Sequence, residues 1–258
     1  MMESVWYFGY GSNMKSSVMA NRGITPLSVK VGLVPTFILT FDIFEIPYTE
    51  PSFESIALYP EKTEVAAEGV TIPPVHGVLY QLEREDYLRL VRSEGSGVGY
   101  DEITVEAYIL ETQADGTVIA TEECIMAQTL KAKYPWRPNP GPSQRYMGLL
   151  LDGCKEHKLP SSYLRYLETL PVYVQADKIS ILQTTGSSLF LAFWGRVIRM
   201  LAQTTKVVVN DQGHAPLWLG WVIVGVYRLM WLWHDNIHAK IWRLGHGELI
   251  NYGAVSNL

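Results

Sequence analysis

Cysteine is scarce in this chain, and its first residues carry no secretion signal. Cys124 and Cys154 are the two cysteines among 258 residues, which is too few for a disulfide framework. The opening residues also lack the cationic run and apolar core of a signal peptide. A reducing, cytoplasmic setting is therefore the simplest expectation.

The motifs of several large enzyme and binding classes are also absent from the sequence. It contains no phosphate-binding glycine motif, no Cys-x-x-Cys pair and no Ser-centred nucleophile elbow. A net charge of −5 gives no reason to expect a nucleic-acid partner. His234 and His238 have the i, i+4 spacing of a metal-binding pair, but the sequence offers no third ligand. We therefore expect neither a metal nor a cofactor, and histidines that lie at a surface or an interface.

The most informative stretch is Tyr-Phe-Gly-Tyr-Gly-Ser-Asn at positions 7–13, where an aromatic strand end runs into a small polar turn. Gly11 lets the backbone turn, and Ser12 and Asn13 favour the cap of a helix over its interior. Unpaired N–H groups at such a helix start can hold a carboxylate or an oxyanion. The alternative is a turn that only joins a strand to a helix.

Glu94 is the second informative residue. Residues 83–93 have acids in the first turn and arginines near the end, which predicts a helix that Gly95 terminates. The apolar face of this helix runs through Leu90 and Val91, and Glu94 occupies the next position on that face. Burial there would raise the pKa of the carboxyl towards neutrality, as suits a group that takes and returns a proton. The alternative is that Glu94 frays outward beside the glycine-rich loop.

Strand-like and helix-like runs alternate along residues 5–128. This pattern predicts an α/β (mixed α+β) fold in which a mixed sheet curls around a central cavity, with helices outside. The Asp-Gly pair in residues 113–116 predicts a hairpin turn. The expected strands are 5–10, 34–41, 53–59, 77–82, 103–111 and 118–128, and the expected helices are 14–21 and 83–93.

The turn and the glutamate together resemble the gamma-glutamylcyclotransferase family. Its members carry a Tyr-Gly-Ser-Asn turn after the first strand, which matches residues 10–13. They also carry a catalytic glutamate in a Glu-Gly pair, then an aromatic residue and a strand, which matches Glu94, Gly95, Tyr100 and residues 101–111. The resemblance covers roughly residues 5–173. Residues 41–51 look most like the fungal branch, whose members often accompany secondary-metabolite pathways.

This resemblance implies a fold, a reaction and a set of site residues. The fold would be a mixed sheet curled into a small barrel. The reaction would be intramolecular aminolysis of a gamma-glutamyl amide, a small-molecule substrate, to 5-oxoproline and a free amine, without a cofactor. Glu94 would be the catalytic acid and base. The substrate would be bound by the turn and two tyrosines: Tyr10, Gly11, Ser12, Asn13 and Tyr100.

Two other functions stay open on the sequence. The same fold and glutamate would also serve a cyclisation, isomerisation or elimination on a lipophilic natural-product intermediate. The third option is a non-catalytic, membrane-associated scaffold.

The composition changes in residues 178–258, which we call the tail. Six of the eight tryptophans lie there, and the tail carries a net charge of +4 while residues 1–177 carry −9. Its apolar segments 181–201 and 215–233 are borderline for crossing a bilayer, which needs ~20 largely apolar residues. Tryptophans beside arginines predict a helical hairpin at a membrane surface. The alternative is that the helices pack on the catalytic domain, residues 1–177, or on a second copy of the chain in a homodimer.

Overall fold

The computed structural model describes residues 4–59, 72–136, 139–175, 181–210, 214–250 and 252. Within these ranges five strands close into a barrel, and two more form a separate antiparallel pair. The strands are β1 Ser4–Gly9, β2 Ser28–Val34, β3 Phe37–Ile46, β4 Glu50–Leu58, β5 Val75–Glu83, β6 Tyr100–Thr112 and β7 Val118–Ala132.

The barrel order is β1-β5-β2-β6-β7, and a parallel bridge between Tyr7 and Gln128 joins β1 to β7. The other neighbouring strands run antiparallel. The predicted mixed α+β fold with a curled sheet is confirmed. The hairpin turn is also present, since Gly116 has a φ of 83° between β6 and β7.

The predicted single strand 34–41 is wrong at its start. The structure ends β2 at Val34 and starts β3 at Phe37, with a turn between them. Pro35 has no N–H group to donate to a sheet ladder, so the chain breaks its pairing there. The strand β2 was not predicted, although its apolar residues Val29, Val31 and Leu33 alternate with polar or small ones.

Helices surround the barrel and form most of the tail. A 3-10 turn, Ser12–Met14, precedes the helix Ser16–Asn21. Ser143 caps the helix Gln144–Glu156 by accepting a hydrogen bond from the Tyr146 N–H at 3.0 Å. A π-helical turn, His234–His238, extends the second tail helix. The helices are α1 Ser16–Asn21, α2 Arg84–Ser93, α3 Gln144–Glu156, α4 Ser161–Thr169, α5 Ile181–Val208, α6 Leu217–Trp233 and α7 Ala239–Ile241.

The tail packs on the β3–β4 hairpin. The Trp231 indole N–H donates to the Glu45 carbonyl at 2.8 Å, and the Tyr227 hydroxyl donates to the Glu45 carboxylate at 3.0 Å. Tyr48, at the hairpin tip, donates from its N–H to the Gly245 carbonyl and from its hydroxyl to the Arg243 carbonyl, both at 2.6 Å. These contacts match the alternative in which the tail helices pack on the catalytic domain.

The outward side of the tail stays apolar and exposed. Arg196, Arg199 and Arg228 are exposed among its hydrophobic residues. In the part of the chain that the structure describes, no helix combines the length and the apolar character needed to cross a membrane. The exposed apolar side chains include Leu189, Phe193, Met200, Trp218, Trp221, Leu229, Leu232 and Trp233.

Candidate active site

Hydrogen bonds from Tyr80 and within the turn itself hold the polar turn at the end of β1 in place. The Tyr80 hydroxyl donates to the carbonyls of Asn13 and Met14 at 3.0 and 3.1 Å. The N–H of Met14 donates to the carbonyl of Gly11 at 2.9 Å, which closes the 3-10 turn. The predicted α-helix from residue 14 therefore starts later, at Ser16, after Lys15 in an extended conformation.

Glu94 directly follows α2, and Gly95 has a φ of 81°, a left-handed conformation that ends the helix. The carboxylate of Glu94 accepts a hydrogen bond from the side-chain amide of Asn13 at 2.9 Å, although the two residues are 81 positions apart. Arg22 forms an ion pair with the same carboxylate oxygen. The Glu94 side chain is 19 % exposed, so it is partly rather than fully buried. The structure thus brings the predicted turn and the predicted glutamate into contact.

Asn13 is the centre of a polar network around Glu94. Its amide nitrogen donates to the Tyr7 hydroxyl at 3.0 Å, and its amide oxygen accepts from Arg22 at 2.8 Å. Burial and the nearby Glu94 carboxylate raise the pKa of Tyr7 far above its usual range, so this hydroxyl stays protonated. Asn13 therefore holds both the Glu94 carboxylate and the Arg22 guanidinium in place.

Sequence reasoning missed Arg22 and Glu54. Arg22 follows the short helix α1 and belongs to no recognisable motif, so nothing in the sequence indicated its pairing with Glu94. Glu54 lies on β4, 8 % exposed, and its carboxylate accepts a hydrogen bond from the Ser12 N–H at 3.3 Å. Burial and the charge of Glu94 raise the pKa of Glu54 to about 7. A polar residue in a strand is usually assigned to its solvent face, so the sequence did not indicate that Glu54 is buried at this site.

The remaining predicted residues occupy different places. Tyr100 lines the cavity described below and donates from its hydroxyl to the Glu54 carbonyl at 2.9 Å. Tyr10 is buried, and its hydroxyl donates to the Leu130 carbonyl at 2.5 Å, so it ties the turn to β7 rather than lining the cavity. Gly11 lies under the Glu54 carboxyl. Of the turn residues, only Ser12 reaches the cavity wall.

A cavity of about 470 Å³ opens beside Glu94. Its polar side carries Ser12, Arg22, Glu94 and Tyr100. The β3–β4 hairpin adds Ile43, Phe44 and Phe53 to its lining. The tail helices supply a largely apolar wall made of Ile198, Leu201, Ala202, Ile223, Val224 and Tyr227, with Thr205 and Lys206 as its polar members.

A histidine cluster in the tail has the composition of a metal site but not its bonding. Among the described residues, ligand atoms of His234, Asp235 and His246 lie within 4.8 Å of one another. However, Nε2 of His234 accepts the Gly245 N–H at 2.9 Å, and Nδ1 faces the Asp235 carboxylate at 2.6 Å. Both ring nitrogens of His234 are therefore already engaged in contacts within the tail. His234 and His238 are buried in this packing, so they lie at an interface and not at the surface.

Two family descriptions match separate parts of the chain. The AIG2-like family matches residues 74–167, which contain α2 and Glu94. The AclK C-terminal domain matches residues 180–241, which contain α5 and α6.

Two fungal relatives match almost the whole chain, and a third matches just over half of it. The gamma-glutamyl cyclotransferase gliK of Aspergillus fumigatus is 46 % identical over 254 residues, covering 96 % of this chain and 91 % of the relative. The gamma-glutamyl cyclotransferase aclK of Aspergillus oryzae is 32 % identical over 250 residues, covering 94 % and 90 %. The gamma-glutamyl cyclotransferase verK of Clonostachys rogersoniana is 46 % identical over 151 residues, covering 56 % and 82 %.

Solved structures share the fold at lower identity. A structure named gamma-glutamyl cyclotransferase and a crystal structure of an uncharacterized human protein each superpose with a TM-score of 0.52 at 22 % identity. Each match covers 69 % of this chain and 95 % of the solved one. The likeness shows a common fold for most of the chain.

Proposed function

The chain belongs to the gamma-glutamyl cyclotransferase family, and we propose on this basis that it converts a gamma-glutamyl amide into 5-oxoproline and a free amine. The observation that carries the proposal is the hydrogen bond between Asn13 and Glu94. It joins the polar turn to a carboxylate that faces a cavity large enough for a small molecule. We further propose that the reaction belongs to a fungal secondary-metabolite pathway.

The reaction forms a bond from the α-amine of the gamma-glutamyl group to its own γ-carbonyl carbon. It breaks the bond from that carbon to the amide nitrogen. Because the nucleophile and the carbonyl share one short chain, little orientation entropy has to be removed. The α-ammonium nitrogen loses two protons on becoming the lactam N–H. Glu94 takes one and returns it to the departing nitrogen, and the second ends on the released amine, which leaves as an ammonium ion. The atoms and the charge balance without a cofactor.

The other site residues orient these groups. Asn13 and Arg22 hold the Glu94 carboxylate from two sides, which supports its role as the group that moves the proton. Of the turn N–H groups expected to bind the substrate, Gly11 to Asn13, that of Ser12 lies at the cavity wall, and we propose that it stabilises the substrate carboxylate or the oxyanion. Tyr100 and the hairpin residues line the space around the reacting atoms.

We expect the apolar wall of the cavity to contact the amine part of the substrate. A gamma-glutamyl group is polar and fits beside Ser12, Arg22 and Glu94. The amine that leaves is then placed against the tail helices, where Leu201 and Val224 favour an apolar group. We assign residues 1–177 to the catalytic domain and residues 178–258 to an extension that supplies this wall.

Replacing Glu94 tests the reaction. Glu94→Gln keeps the shape of the side chain but cannot move a proton, so we expect 5-oxoproline release from gamma-glutamyl amides to fall by ~10²–10⁴-fold with the fold intact. Glu123→Gln is the matched control, because Glu123 lies on β7 in an exposed pair with Lys30. Near-native turnover in Glu94→Gln would contradict the mechanism.

The apolar wall also favours a second candidate function. The same fold and Glu94 would then catalyse a cyclisation, isomerisation or elimination on a lipophilic intermediate. The two candidates differ in one product. Glu94-dependent conversion of such an intermediate without 5-oxoproline would support the second and exclude the first.

We propose a cytoplasmic enzyme whose tail rests on a membrane surface. The two free cysteines, Cys124 and Cys154, fit a reducing compartment. The exposed tryptophans Trp218 and Trp221 beside tail arginines support contact with anionic headgroups. A homodimer that covers the same face is the alternative.

A further inference from the structure

Glu54 occupies the place where the turn would bind an anion. Its carboxyl lies so close to Gly11 that a Cβ at that position would be 1.9 Å from its Oε1 atom. The same oxygen accepts the Ser12 N–H at 3.3 Å. An N–H group that the proposed mechanism offers to the substrate is therefore already used by the protein's own carboxyl group.

The other oxygen of Glu54 is poorly satisfied. Within the described residues, its Oε2 atom is buried and has no hydrogen-bond partner. An ionised carboxylate in that position loses most of its hydration and recovers little of it, so the protein favours the protonated form. The raised pKa of this carboxyl, about 7, agrees with the geometry.

Several ionisable groups face Glu54 or act on it from the surrounding elements. Glu94, which follows α2, raises the pKa of Glu54, and Arg22, which follows α1, lowers it. Tyr7 on β1, Tyr10 after β1 and Tyr100 on β6 all have raised pKa values and stay neutral near pH 7. From α3, the Tyr146 hydroxyl lies 3.5 Å from the Ser12 hydroxyl, and Asp42 on β3 acts on Tyr10.

We propose that Glu54 is a positioning residue that has to carry a proton before the Ser12 turn can bind the anionic group of a substrate. Ionised Glu54 holds the Ser12 N–H and places a negative charge behind the turn, which repels a second carboxylate. Protonated Glu54 removes that charge and competes less for the N–H. The proposal rests on the gamma-glutamyl function and adds a requirement on the state of the enzyme.

Binding of 5-oxoproline measured by calorimetry at pH 6 and pH 8 tests this requirement. The carboxylate of this probe is ionised at both values, so a change in affinity reports on the protein. We expect the wild-type dissociation constant to be about tenfold weaker at pH 8, because Glu54 then has to take up a proton on binding. Glu54→Gln should change by less than about twofold, and Glu123→Gln should behave as the wild type.

Kinetics give a second measurement on the same variants. With a gamma-glutamyl amide that is turned over, we expect KM to rise with pH in the wild type but not in Glu54→Gln, while kcat stays similar in both. Equal pH dependence of binding in the wild type and Glu54→Gln would overturn the proposal. A wild-type affinity that is the same at pH 6 and pH 8 would do so even if the variant failed to fold.

The two proposals fail in different ways. If no gamma-glutamyl amide yields 5-oxoproline, the proposed reaction is wrong, but pH-dependent binding of 5-oxoproline still decides the role of Glu54. If turnover requires Glu94 and binding ignores Glu54, only the requirement for a proton on Glu54 is wrong.

Discussion

Asn13 shows how much one side chain contributes to this site. Its amide donates to Glu94 and Tyr7 and accepts from Arg22, so it uses both its donor and its acceptor groups. Aspartate at this position would place a second negative charge about 3 Å from Glu94. Leucine would remove one hydrogen bond from each of these three polar partners. The site therefore requires an amide at position 13, and not merely a small polar residue.

Gly11 is required for a reason that the sequence did not reveal. The sequence indicates only that Gly11 lets the backbone turn, but the structure also places the Glu54 carboxyl where a Cβ at position 11 would be. Gly11→Ala should therefore lower the free energy of unfolding by ~1–3 kcal/mol through overpacking. Removing Glu54 in the double variant with Glu54→Ala should recover much of that loss.

Chemical denaturation of both single variants and the double variant measures this coupling. Gly148→Ala on α3 is the control, because a Cβ there meets no atom within 4 Å, and it should be neutral or slightly stabilising. Additive losses in the double variant would show that Gly11 and Glu54 do not compete for space.

At the scale of elements, the β3–β4 hairpin links the tail to the site. Glu45 on β3 receives Tyr227 and Trp231 from the tail, and Glu54 on β4 reaches the turn after β1. One hairpin therefore fixes the distance between the polar side of the cavity and its apolar wall.

We expect Glu45, which binds the tail to the hairpin, to make the free energy of unfolding depend on pH. Burial raises its pKa to about 7, although the Tyr227 hydroxyl donates to it. The folded protein thus keeps a proton that the unfolded chain releases, and the free energy of unfolding falls as pH rises from about 4.5 to about 7. Glu45→Gln cannot ionise, so we expect a flatter dependence by up to about 1 kcal/mol per pH unit.

Urea denaturation at pH 5, 6 and 7 measures the slope. The wild type and the exposed control Glu123→Gln should share one slope, since Glu123 is not buried. Glu54 adds to the wild-type slope in the same direction, so Glu45→Gln should retain part of it. An unchanged slope in Glu45→Gln would rule out this role.

The sequence predicted those elements whose signals are local. The bounds of the helix Arg84–Ser93 were predicted within one residue. Its signals, which are acids in the first turn, arginines near the end and Gly95 after it, all lie in one short stretch of sequence. The turn and Glu94 were found through a short motif and a break in an apolar face. Arg22, Glu54 and Glu45 were not found, because each acquires its role from a partner that lies far away in the sequence. The boundary between β2 and β3 depended on Pro35, which the run of apolar residues concealed.

At the scale of the whole molecule, the two faces of the tail differ. The inner face contacts the hairpin and the cavity, and the outer face presents exposed tryptophans. The tail carries +4 against −9 for the rest of the chain, so an anionic surface attracts the tail and repels the remainder. For a molecule whose tail lies on such a surface, we expect this asymmetry to orient residues 1–177 away from it.

Vesicle sedimentation tests that orientation. We expect the full chain to bind anionic vesicles, to bind neutral vesicles less, and to lose binding at high salt because exposed charges are screened. Trp218→Ser with Trp221→Ser should weaken binding without changing activity, since neither residue lines the cavity. A stable dimer that ignores vesicles in a sedimentation experiment would show that a second copy covers this face.

The order of synthesis determines when the cavity acquires the wall that α5 and α6 form. A ribosome makes α5 and α6 after Glu94 and the seven strands of the described residues. The barrel therefore has time to fold while one side of its cavity is still open to water. Only the synthesis of α5 and α6 closes that side, so a chain that is terminated before them carries Glu94, the turn and Arg22 but lacks this wall.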